Sequence, residues 1–259
     1  MIQVIQGDQI RVEVDLLHGA RLSSVQWGGH EFSVQKRKSI LHWGWYPLAP
    51  WGGRIPFGEI RDVKGEVIKL PTKFLPPHAI HGLAFDKEWS DKGNGVSRIA
   101  LPDPYGGAEV EIRITTEGNH LNYEMEYFDN GCELPAWLGL HTWFPRHIND
   151  DVQDVEVFFD PEVMLSMDED SITQSEHVYP IPPQPWDDVF FKPRSIPSVV
   201  WSGAAKIEIK SSHPWWIVNT KDDQGVCVEP QTAPPNAQNL GIDLSNADLL
   251  KVRFTFSEA

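Results

Sequence analysis

The chain has 259 residues, of which 41% are hydrophobic, and its formal net charge is −15. This length and hydrophobic content allow one large core, so we expect a single domain spanning residues 1–259. The negative charge and the lack of any cluster of lysines and arginines argue against a nucleic-acid partner, because contacts to a phosphate backbone depend on clustered cations. We expect a small partner molecule that is not strongly anionic.

The amino-terminal segment and the two cysteines indicate the cellular compartment of the protein. The opening "MIQVIQGDQIRVEV" alternates in hydrophobicity and therefore predicts a first β-strand, not a signal peptide. No stretch approaches the ~20 apolar residues that a membrane helix requires. Cys132 and Cys227 are far apart, and Cys227 lies in a predicted buried strand, so we expect reduced thiols rather than a disulfide or zinc site. These features predict a cytoplasmic protein with no membrane partner.

Two-residue alternation dominates the rest of the chain. Between residues 109 and 128, two alternating runs flank Gly118 and Asn119, a pattern that predicts a β-hairpin. The 21 prolines and 20 glycines punctuate these runs and leave no long helical pattern, which argues against alternating strands and helices. We therefore predict an all-β fold, a large antiparallel β-sandwich. Further strands are expected at 155–159, 206–211, 215–220 and 249–256.

The segment from about 160 to 200 differs from its surroundings. It is acidic and proline-rich, and its hydrophobic periodicity is weak. A long irregular stretch inside a compact domain is often functional. We predict an irregular segment here, with a role such as a flap over a binding site.

Arg54 is the first candidate functional residue. It follows two glycines in "LAPWGGRIPFGEI" and precedes Ile55 and Pro56. Glycines let the backbone approach a ligand closely, and a guanidinium group offers a fixed fork of donors to oxygen atoms. A surface salt bridge is the alternative role for this arginine.

Two histidines follow in "PPHAIHGLAFDKEW". The spacing of His78 and His81 is compatible with zinc, but an extended segment after two prolines need not place both on one face, and no third ligand is near in sequence. We therefore expect no metal. His81, directly before Gly82, is better suited to donate or accept hydrogen bonds at a loop tip.

Aromatic residues surround a third histidine in "WLGLHTWFPR". His141 either fills a structural role or, if it faces a cleft, acts as a proton shuttle, because imidazole titrates near neutral pH. Nearby tryptophans either fill the core or contact the apolar face of a sugar ring. These are Trp43, Trp45, Trp51, Trp137 and Trp143.

The last candidate lies in "GVCVEPQTAPPN", residues 225–236. The segment begins like a buried strand, and Pro230 directly follows Glu229. Because proline cannot donate to a continuing ladder, the sequence predicts that the strand ends at Glu229 and aims its carboxylate at a rim. A solvated carboxylate is the alternative to a functional one.

Five motifs lie between about residues 45 and 237. They are "GGRI", "IHG" at 80–82, "GLH" with an aromatic pair at 139–144, "WDDVF" at 186–190 and "VEPQTAPPNA" at 228–237, the most specific of the five. In these motifs and their order the chain resembles the aldose 1-epimerase (galactose mutarotase-like) family. The resemblance implies a β-supersandwich with an open cleft. It also implies an enzyme that interconverts the α and β anomers of a free aldose without a metal or organic cofactor.

The resemblance assigns the proton transfers to two residues. Glu229 would be the general base that takes the proton from the C1 hydroxyl. His141 would be the general acid that donates to the ring oxygen, so that the ring opens, the C1–C2 bond rotates and closure gives either anomer.

Substrate-binding roles follow from the same motifs. Arg54 and His81 would hold hydroxyls and the ring oxygen, and Asp187 would anchor other hydroxyls, with Asp188 as the adjacent alternative. In the branch of the family that handles hexose 6-phosphates, the histidine motif looks like His-Gly-Phe-Ala-Arg, and its arginine helps to bind the phosphate. Phe85 occupies that position here, which disfavours a phosphorylated sugar.

Two other functions remain open from the residues. Glu229 and Asp187 could be the paired carboxylates of a glycosidase, but this leaves His141, His81 and Arg54 without roles. A non-catalytic carbohydrate-binding module would use the same cleft without turnover. The presence of both Glu229 and His141 favours the epimerase. The sequence does not indicate an oligomeric state.

Overall fold

The computed structural model describes residues 1–149 and 154–259. Within these ranges, the regular structure consists of β-strands and two short 3-10 helices, Leu16–His18 and Pro56–Gly58. The strands are β1 (Ile2–Gln6), β2 (Ile10–Asp15), β3 (Arg21–Trp27), β4 (His30–Glu31), β5 (Trp45–Leu48), β6 (Arg54–Ile55), β7 (Glu59–Arg61), β8 (Val67–Lys69), β9 (Ala79–Ile80), β10 (Ser90–Gly93), β11 (Val96–Ala100), β12 (Glu109–Glu117), β13 (His120–Phe128), β14 (Gly139–Pro145), β15 (Glu156–Phe158), β16 (Pro161–Met167), β17 (Thr173–His177), β18 (Asp187–Pro193), β19 (Ser198–Trp201), β20 (Ala205–Ser211), β21 (Trp215–Asn219), β22 (Gly225–Gln231) and β23 (Leu249–Ser257). The all-β prediction is confirmed.

Two large sheets contain most of these strands. One has 11 strands in the order β1-β2-β3-β5-β14-β22-β21-β18-β16-β17, with β4 paired to β3. The other has 8 strands in the order β10-β11-β12-β13-β23-β20-β19-β15. The ladders are antiparallel, and two small ladders, β6–β9 and β7–β8, lie outside the large sheets. Among the described residues, no helix is long and apolar enough to span a membrane.

Aromatic side chains join the two sheets into one core. The ring of Trp45 on β5 lies 4.7 Å from that of Phe254 on β23, measured between ring centroids. Phe144 on β14 approaches Trp201 on β19 at 6.2 Å. All four side chains are fully buried, and burial of a large apolar side chain stabilises a fold by about 1.5–3 kcal/mol. The faces of the sheets that meet here form the main hydrophobic core.

The central strands of the 11-stranded sheet carry a second set of side chains on the opposite face. On β22, Val226 and Val228 belong to the main core. Because side chains alternate along a strand, Cys227 and Glu229 lie on the opposite, outer face of the sheet. The same alternation on β14 places His141 on that outer face. A smaller apolar cluster lies there, formed by Val34, Trp43, Tyr46, Leu48, Phe85, Trp143 and Cys227.

Several local predictions are confirmed. Strands β12 and β13 form the expected hairpin, with Glu117 opposite His120 across the turn. Strands also occur at the four other predicted positions, as β15, β20, β21 and β23. The single domain over residues 1–259 stays a prediction, and residues 150–153 lie outside the described ranges.

The prediction that β22 ends at Glu229 is wrong. The strand continues to Gln231, and Glu229 is only 3% exposed, so its carboxylate is not at a solvated rim. The Val228 amide faces β14, where it donates to the Thr142 hydroxyl, and the nitrogen of Pro230 faces the same way. The β14–β22 ladder has no paired residues between Cys227 and Gln231. Pro230 lacks a backbone N–H group, but no hydrogen bond between the strands is lost at this position. Pairing with β21 carries the strand onward.

The prediction of an irregular segment over 160–200 is also wrong. The segment contains β16, β17, β18 and β19, and the first three form one end of the 11-stranded sheet. Strand β17 is the edge of that sheet, and its last three residues are exposed. Polar residues on an exposed edge hide the alternation that identifies a half-buried strand.

Candidate functional site

A cavity of about 300 Å³ opens on the outer face of the 11-stranded sheet. This volume is at the lower end of the roughly 300–1,000 Å³ typical of ligand sites and suits a small molecule. Strands β14, β18, β21 and β22 supply part of its wall, together with the segments around β6 and β9. The five residues to which the family resemblance assigns catalytic or binding roles line it: Arg54, His81, His141, Asp187 and Glu229.

His141 and Glu229 meet at the base of this cavity. Trp143 is opposite Cys227 in the register of β14 and β22, so His141 and Glu229, two positions away on each strand, also face each other. His141 Nε2 lies 3.3 Å from Glu229 Oε1. The two residues are 6% and 3% exposed, respectively, which makes this a buried pair.

The imidazole of His141 is held on several sides. Tyr46 stacks on it with a ring-centroid distance of 4.5 Å and an interplanar angle of 22°. Trp143 stacks at 5.4 Å and 24°. The Sγ atom of Cys227 lies 3.8 Å from Nδ1. These contacts direct Nε2, the other ring nitrogen, towards Glu229.

Burial favours the uncharged form of both residues. It lowers the pKa of His141 well below its usual value, and the nearby His81 and Arg21 lower this pKa further. Burial raises the pKa of Glu229 well above its usual value, and the negative charge of Asp187 adds to the effect. The favoured state therefore has a protonated Glu229 carboxyl and a neutral His141. Among the described residues, the buried Oε2 atom of Glu229 has no hydrogen-bond partner.

A buried arginine supports the stack from behind. The Arg21 guanidinium carbon lies 4.8 Å from the ring centroid of Tyr46, on which His141 also stacks. Burial lowers the pKa of Arg21 to about 10, which still leaves it charged at neutral pH. Its nitrogens donate to the backbone carbonyls of His18, Ile40, Trp43 and Phe85. Sequence analysis missed this residue, because its role depends on contacts between distant segments.

Arg54 reaches the cavity from a tightly packed turn. Gly53 has φ of 69°, and a Cβ atom at this position would lie 2.4 Å from Pro235, so the turn requires glycine. Pairing of β6 with β9 places Arg54 opposite Ile80. Arg54 Nη1 donates to the carbonyl of Asp170 at 2.5 Å. The guanidinium thus lines the cavity and also holds the turn between β16 and β17.

His81 and Gly82 form a strained corner at the cavity wall. Both have left-handed backbones, with φ of 60° and 82°. The His81 ring stands edge-on to that of His141, with centroids 5.1 Å apart and an interplanar angle of 85°. Its buried Nδ1 has no partner among the described residues. Burial lowers the pKa of His81 to about 3, assisted by the positive charge of Arg54 and by His42, so the ring is neutral at pH 7.

The two candidate aspartates have different surroundings. Asp188 accepts a hydrogen bond from the backbone amide of Asp187 at 3.0 Å, and Lys221 Nζ lies 3.9 Å from the same oxygen. Asp187 is paired with Asn219 across the ladder, and burial raises the pKa of its carboxyl against the opposing effect of Lys221 and Arg54. Both aspartates line the cavity.

The cavity also contains residues that sequence analysis did not select as site residues. They include His42, Ser171, Asn219 and Asp222. These positions lie in turns or at strand ends, where the sequence carries no signal of which turns meet. Of the five candidate tryptophans, Trp143 borders the cavity, whereas the other four are buried in the hydrophobic clusters.

Two groups of side chains bear on metal binding. His78 accepts a hydrogen bond from the Phe57 amide, and its Nε2 lies 3.7 Å from the carboxylate of Asp170, so it has structural partners. Within the described part of the chain, one cluster offers three potential ligand atoms within 4.8 Å of each other: His141, Cys227 and Glu229. The thiol and the carboxyl approach different nitrogens of the imidazole, an arrangement that suits hydrogen bonding.

Comparisons with known proteins give matches among solved structures alone; no family model and no curated protein matches the sequence. A candidate aldose 1-epimerase from Escherichia coli K12 superposes with a TM-score of 0.83, 14% identity and coverage of 100% of this chain and 99% of that one. A galactose mutarotase-like protein from Clostridium acetobutylicum gives 0.80, 12% identity, and coverage of 99% and 95%. The chain has the galactose mutarotase-like fold. An aldose epimerase homologue from C. elegans gives 0.76 at 15% identity, covering 100% and 99%.

The corner at Gly82 generates a stability prediction. A Cβ atom at Gly82 would lie 2.1 Å from the Ala49 carbonyl oxygen, whereas one at Gly203, with a similar φ of 78°, would meet no atom of the described part of the chain within 4 Å. We expect Gly203→Ala to lower the free energy of unfolding by about 1–2 kcal/mol from backbone strain. Gly82→Ala should lower it by about 2–5 kcal/mol, because the clash adds to the strain. Urea denaturation measures both, and equal losses would contradict the steric argument.

His81 generates a pH prediction. Its folded-state pKa of about 3 lies below its ordinary value of 6.5, so the unfolded chain binds more protons between these pH values and stability falls as the pH falls from 6.5 towards 3. We expect wild type to lose roughly 2 kcal/mol more than His81→Gln between pH 7 and pH 5. Chemical denaturation at both pH values measures this.

His177→Gln is the matched control for this experiment, because His177 is exposed on the edge strand β17. It should follow wild type at both pH values. Burial is the largest cause of the lowered pKa of His141 and is common to all three proteins, so the contribution of His141 largely cancels in the comparison. A His81→Gln variant that loses as much stability as wild type would contradict the buried, neutral state of His81.

Proposed function

We propose that the protein is an aldose 1-epimerase that interconverts the anomers of a neutral, free aldose. The observation that carries the proposal is the 3.3 Å contact between His141 and Glu229 at the base of a cavity of about 300 Å³. Mutarotation requires one proton to leave O1 and another to reach O5, so one acid and one base are sufficient. A buried carboxyl–imidazole pair supplies both from this chain's own residues.

The preferred protonation state determines the order of the transfers. With Glu229 protonated and His141 neutral, His141 Nε2 accepts the O1 proton while Glu229 gives its proton to O5. The O1–H and C1–O5 bonds break, and the C1=O1 and O5–H bonds form. After rotation about C1–C2, closure reverses the transfers, with Glu229 as base and His141 as acid. In closure Glu229 is thus the base and His141 the acid, as in the family resemblance, but the oxygen atoms are exchanged: Glu229 takes its proton from O5–H, and His141 gives its proton to O1.

Three other residues would bind hydroxyl groups of the sugar. Arg54 offers donors from the wall of the cavity, and His81 offers a neutral ring nitrogen that has no partner in residues 1–149 and 154–259. We assign Asp187, rather than Asp188, as the third ligand. Asp188 is already engaged by the amide of Asp187 and by Lys221.

The surroundings of the cavity favour an unphosphorylated substrate. Phe85 is fully buried and packs against Tyr46 and Phe74, so it adds no cation to the cavity wall. Asp187 and Asp222 line the cavity and would repel a phosphate dianion. A neutral aldose needs no cation at the position of Phe85 and is not repelled by the two carboxylates.

A non-catalytic sugar-binding module is the second candidate, because this fold does not by itself require turnover. Binding alone needs hydrogen-bond donors, acceptors and apolar surface. It does not need an acid and a base in direct contact, and burying such a pair costs free energy. The pair of His141 and Glu229 therefore favours catalysis over binding.

Polarimetry tests the proposed function. Freshly dissolved α-D-glucose or α-D-galactose should reach anomeric equilibrium faster with the protein than without it. Glu229→Gln should reduce this acceleration by roughly 10²- to 10⁴-fold, because glutamine keeps the shape of the side chain but transfers no proton. Glu176→Gln, at an exposed edge position, should retain full activity. Sugar binding without acceleration would establish the binding module, and cleavage of a chromogenic glycoside would establish hydrolysis.

The proposed pair also predicts a pH profile. Activity is lost at low pH when His141 becomes protonated, and lost at high pH when Glu229 loses its proton. Because the pKa of His141 is lowered and that of Glu229 is raised, kcat should be flat through neutral pH, with the acid limb below the ordinary imidazole range. Polarimetry across pH, corrected for the spontaneous reaction, measures the profile. An acid limb centred at the ordinary imidazole value would contradict the assignment.

A further inference from the structure

The thiol of Cys227 contacts His141 and lies close to Glu229, the two members of the proposed acid–base pair. Cys227 lies on β22 two residues before Glu229 and points to the same face. Its Sγ is 3.8 Å from His141 Nδ1, the ring nitrogen that faces away from Glu229. Sγ also lies within 4.8 Å of a carboxyl oxygen of Glu229. The side chain is completely buried.

The partner of Nδ1 decides which nitrogen of a neutral imidazole carries the proton. A thiol can accept a hydrogen bond through sulfur and donate one through S–H. If Nδ1–H donates to Cys227, the lone pair of Nε2 is free and faces Glu229 and the cavity. The S–H group is then free to donate to Glu229. One side chain can thus satisfy Nδ1 of His141 and one oxygen of Glu229 together.

This arrangement is maintained through the whole proposed reaction. Nδ1 remains protonated in both the neutral and the cationic forms of His141, and the proton gained and lost is the one on Nε2. Burial raises the pKa of Cys227 well above its usual value, and the nearby Glu229 raises it further, so the group stays a thiol. It therefore remains able to donate and accept at each step.

We propose that Cys227 is a positioning residue that holds His141 as the Nδ1-protonated tautomer and orients the Glu229 carboxyl. The proposal rests on the proposed function, because it explains how His141 presents a free Nε2 to the sugar. The competing role is packing, since Cys227 also belongs to the apolar cluster with Tyr46 and Leu48. An apolar side chain of similar volume can replace Cys227 in packing, but it cannot replace Cys227 in positioning His141 and Glu229.

Variants of Cys227 separate these roles kinetically. Cys227→Val keeps an apolar side chain of similar size but neither donates nor accepts, and we expect kcat to fall roughly 3- to 10-fold, the effect of losing about one hydrogen bond. KM should change less than twofold, because the thiol faces the pair and not the sugar. Cys227→Ser retains a donor and acceptor, so its kcat should exceed that of the valine variant. Wild-type kcat in Cys227→Val would overturn the proposal.

NMR tests the tautomer without depending on turnover. Two-bond ¹H–¹⁵N correlation spectra of the ¹⁵N-labelled protein distinguish a protonated Nδ1 from a protonated Nε2, and a His141→Asn variant identifies the His141 signals. We expect Nδ1 protonation in wild type and an increased Nε2-protonated population in Cys227→Val. Cys132→Val is the matched control, because Cys132 is a partly exposed free thiol outside the cavity, and it should change nothing.

These outcomes separate the positioning proposal from the proposed function. A wild-type protein that accelerates no aldose but shows the Cys227-dependent tautomer would contradict the epimerase and leave the positioning contact supported. An Nε2-protonated His141 in wild type, or the same tautomer in wild type and Cys227→Val, would overturn the positioning role even with full activity. If Cys227→Val does not fold, as judged by circular dichroism, Cys227→Ala decides, because alanine also removes the donor and the acceptor; the wild-type tautomer in this variant would overturn the positioning role.

Discussion

The register between β14 and β22 is the constraint on which the candidate site depends. Because side chains alternate along a strand, a shift of one residue would turn His141 into the core and separate it from Glu229. The inward residues on both strands, such as Leu140 and Val228, fill the core between the sheets and therefore resist such a shift. The same hydrophobic pattern that builds the fold thus brings the two polar residues into contact on the outer face.

Burial of this pair sets its chemistry. A charged carboxylate and imidazolium in direct contact would attract each other, but desolvation of both charges opposes that state. The neighbours act in the same direction, since Asp187 lies near Glu229 and Arg21 lies near His141. The stack of Arg21 and Tyr46 against the imidazole therefore orients the ring and also disfavours its positive charge. A neutral pair that shares one exchangeable proton can act in either direction, as a reversible anomer exchange requires.

The fold could be predicted largely from local sequence patterns, because alternation, glycine turns and the absence of helical periodicity are local signals. The candidate residues were found because motifs placed polar groups among glycines, prolines and aromatics. Arg21 and Asp222 were missed because their roles arise from contacts between distant segments. The error at Glu229 has a different cause: whether Pro230 ends a strand depends on which neighbour its nitrogen faces, and only the three-dimensional pairing determines that. Cys227 was correctly predicted as a buried free thiol, but its contact with His141 depends on the same pairing.

Two buried atoms at the cavity, Glu229 Oε2 and His81 Nδ1, have no hydrogen-bond partner among the described residues. Leaving such a group unsatisfied costs about 1–3 kcal/mol, so a ligand that pairs with these atoms would gain binding free energy. The protons on the Glu229 carboxyl and on the His81 ring decide whether Oε2 and Nδ1 donate or accept. A ligand must therefore offer these two atoms a donor, an acceptor or both. A hydroxyl group can do both, whereas a phosphate dianion can only accept. The unpaired atoms and the carboxylates of the cavity therefore both favour the substrate proposed above, a molecule rich in neutral hydroxyl groups.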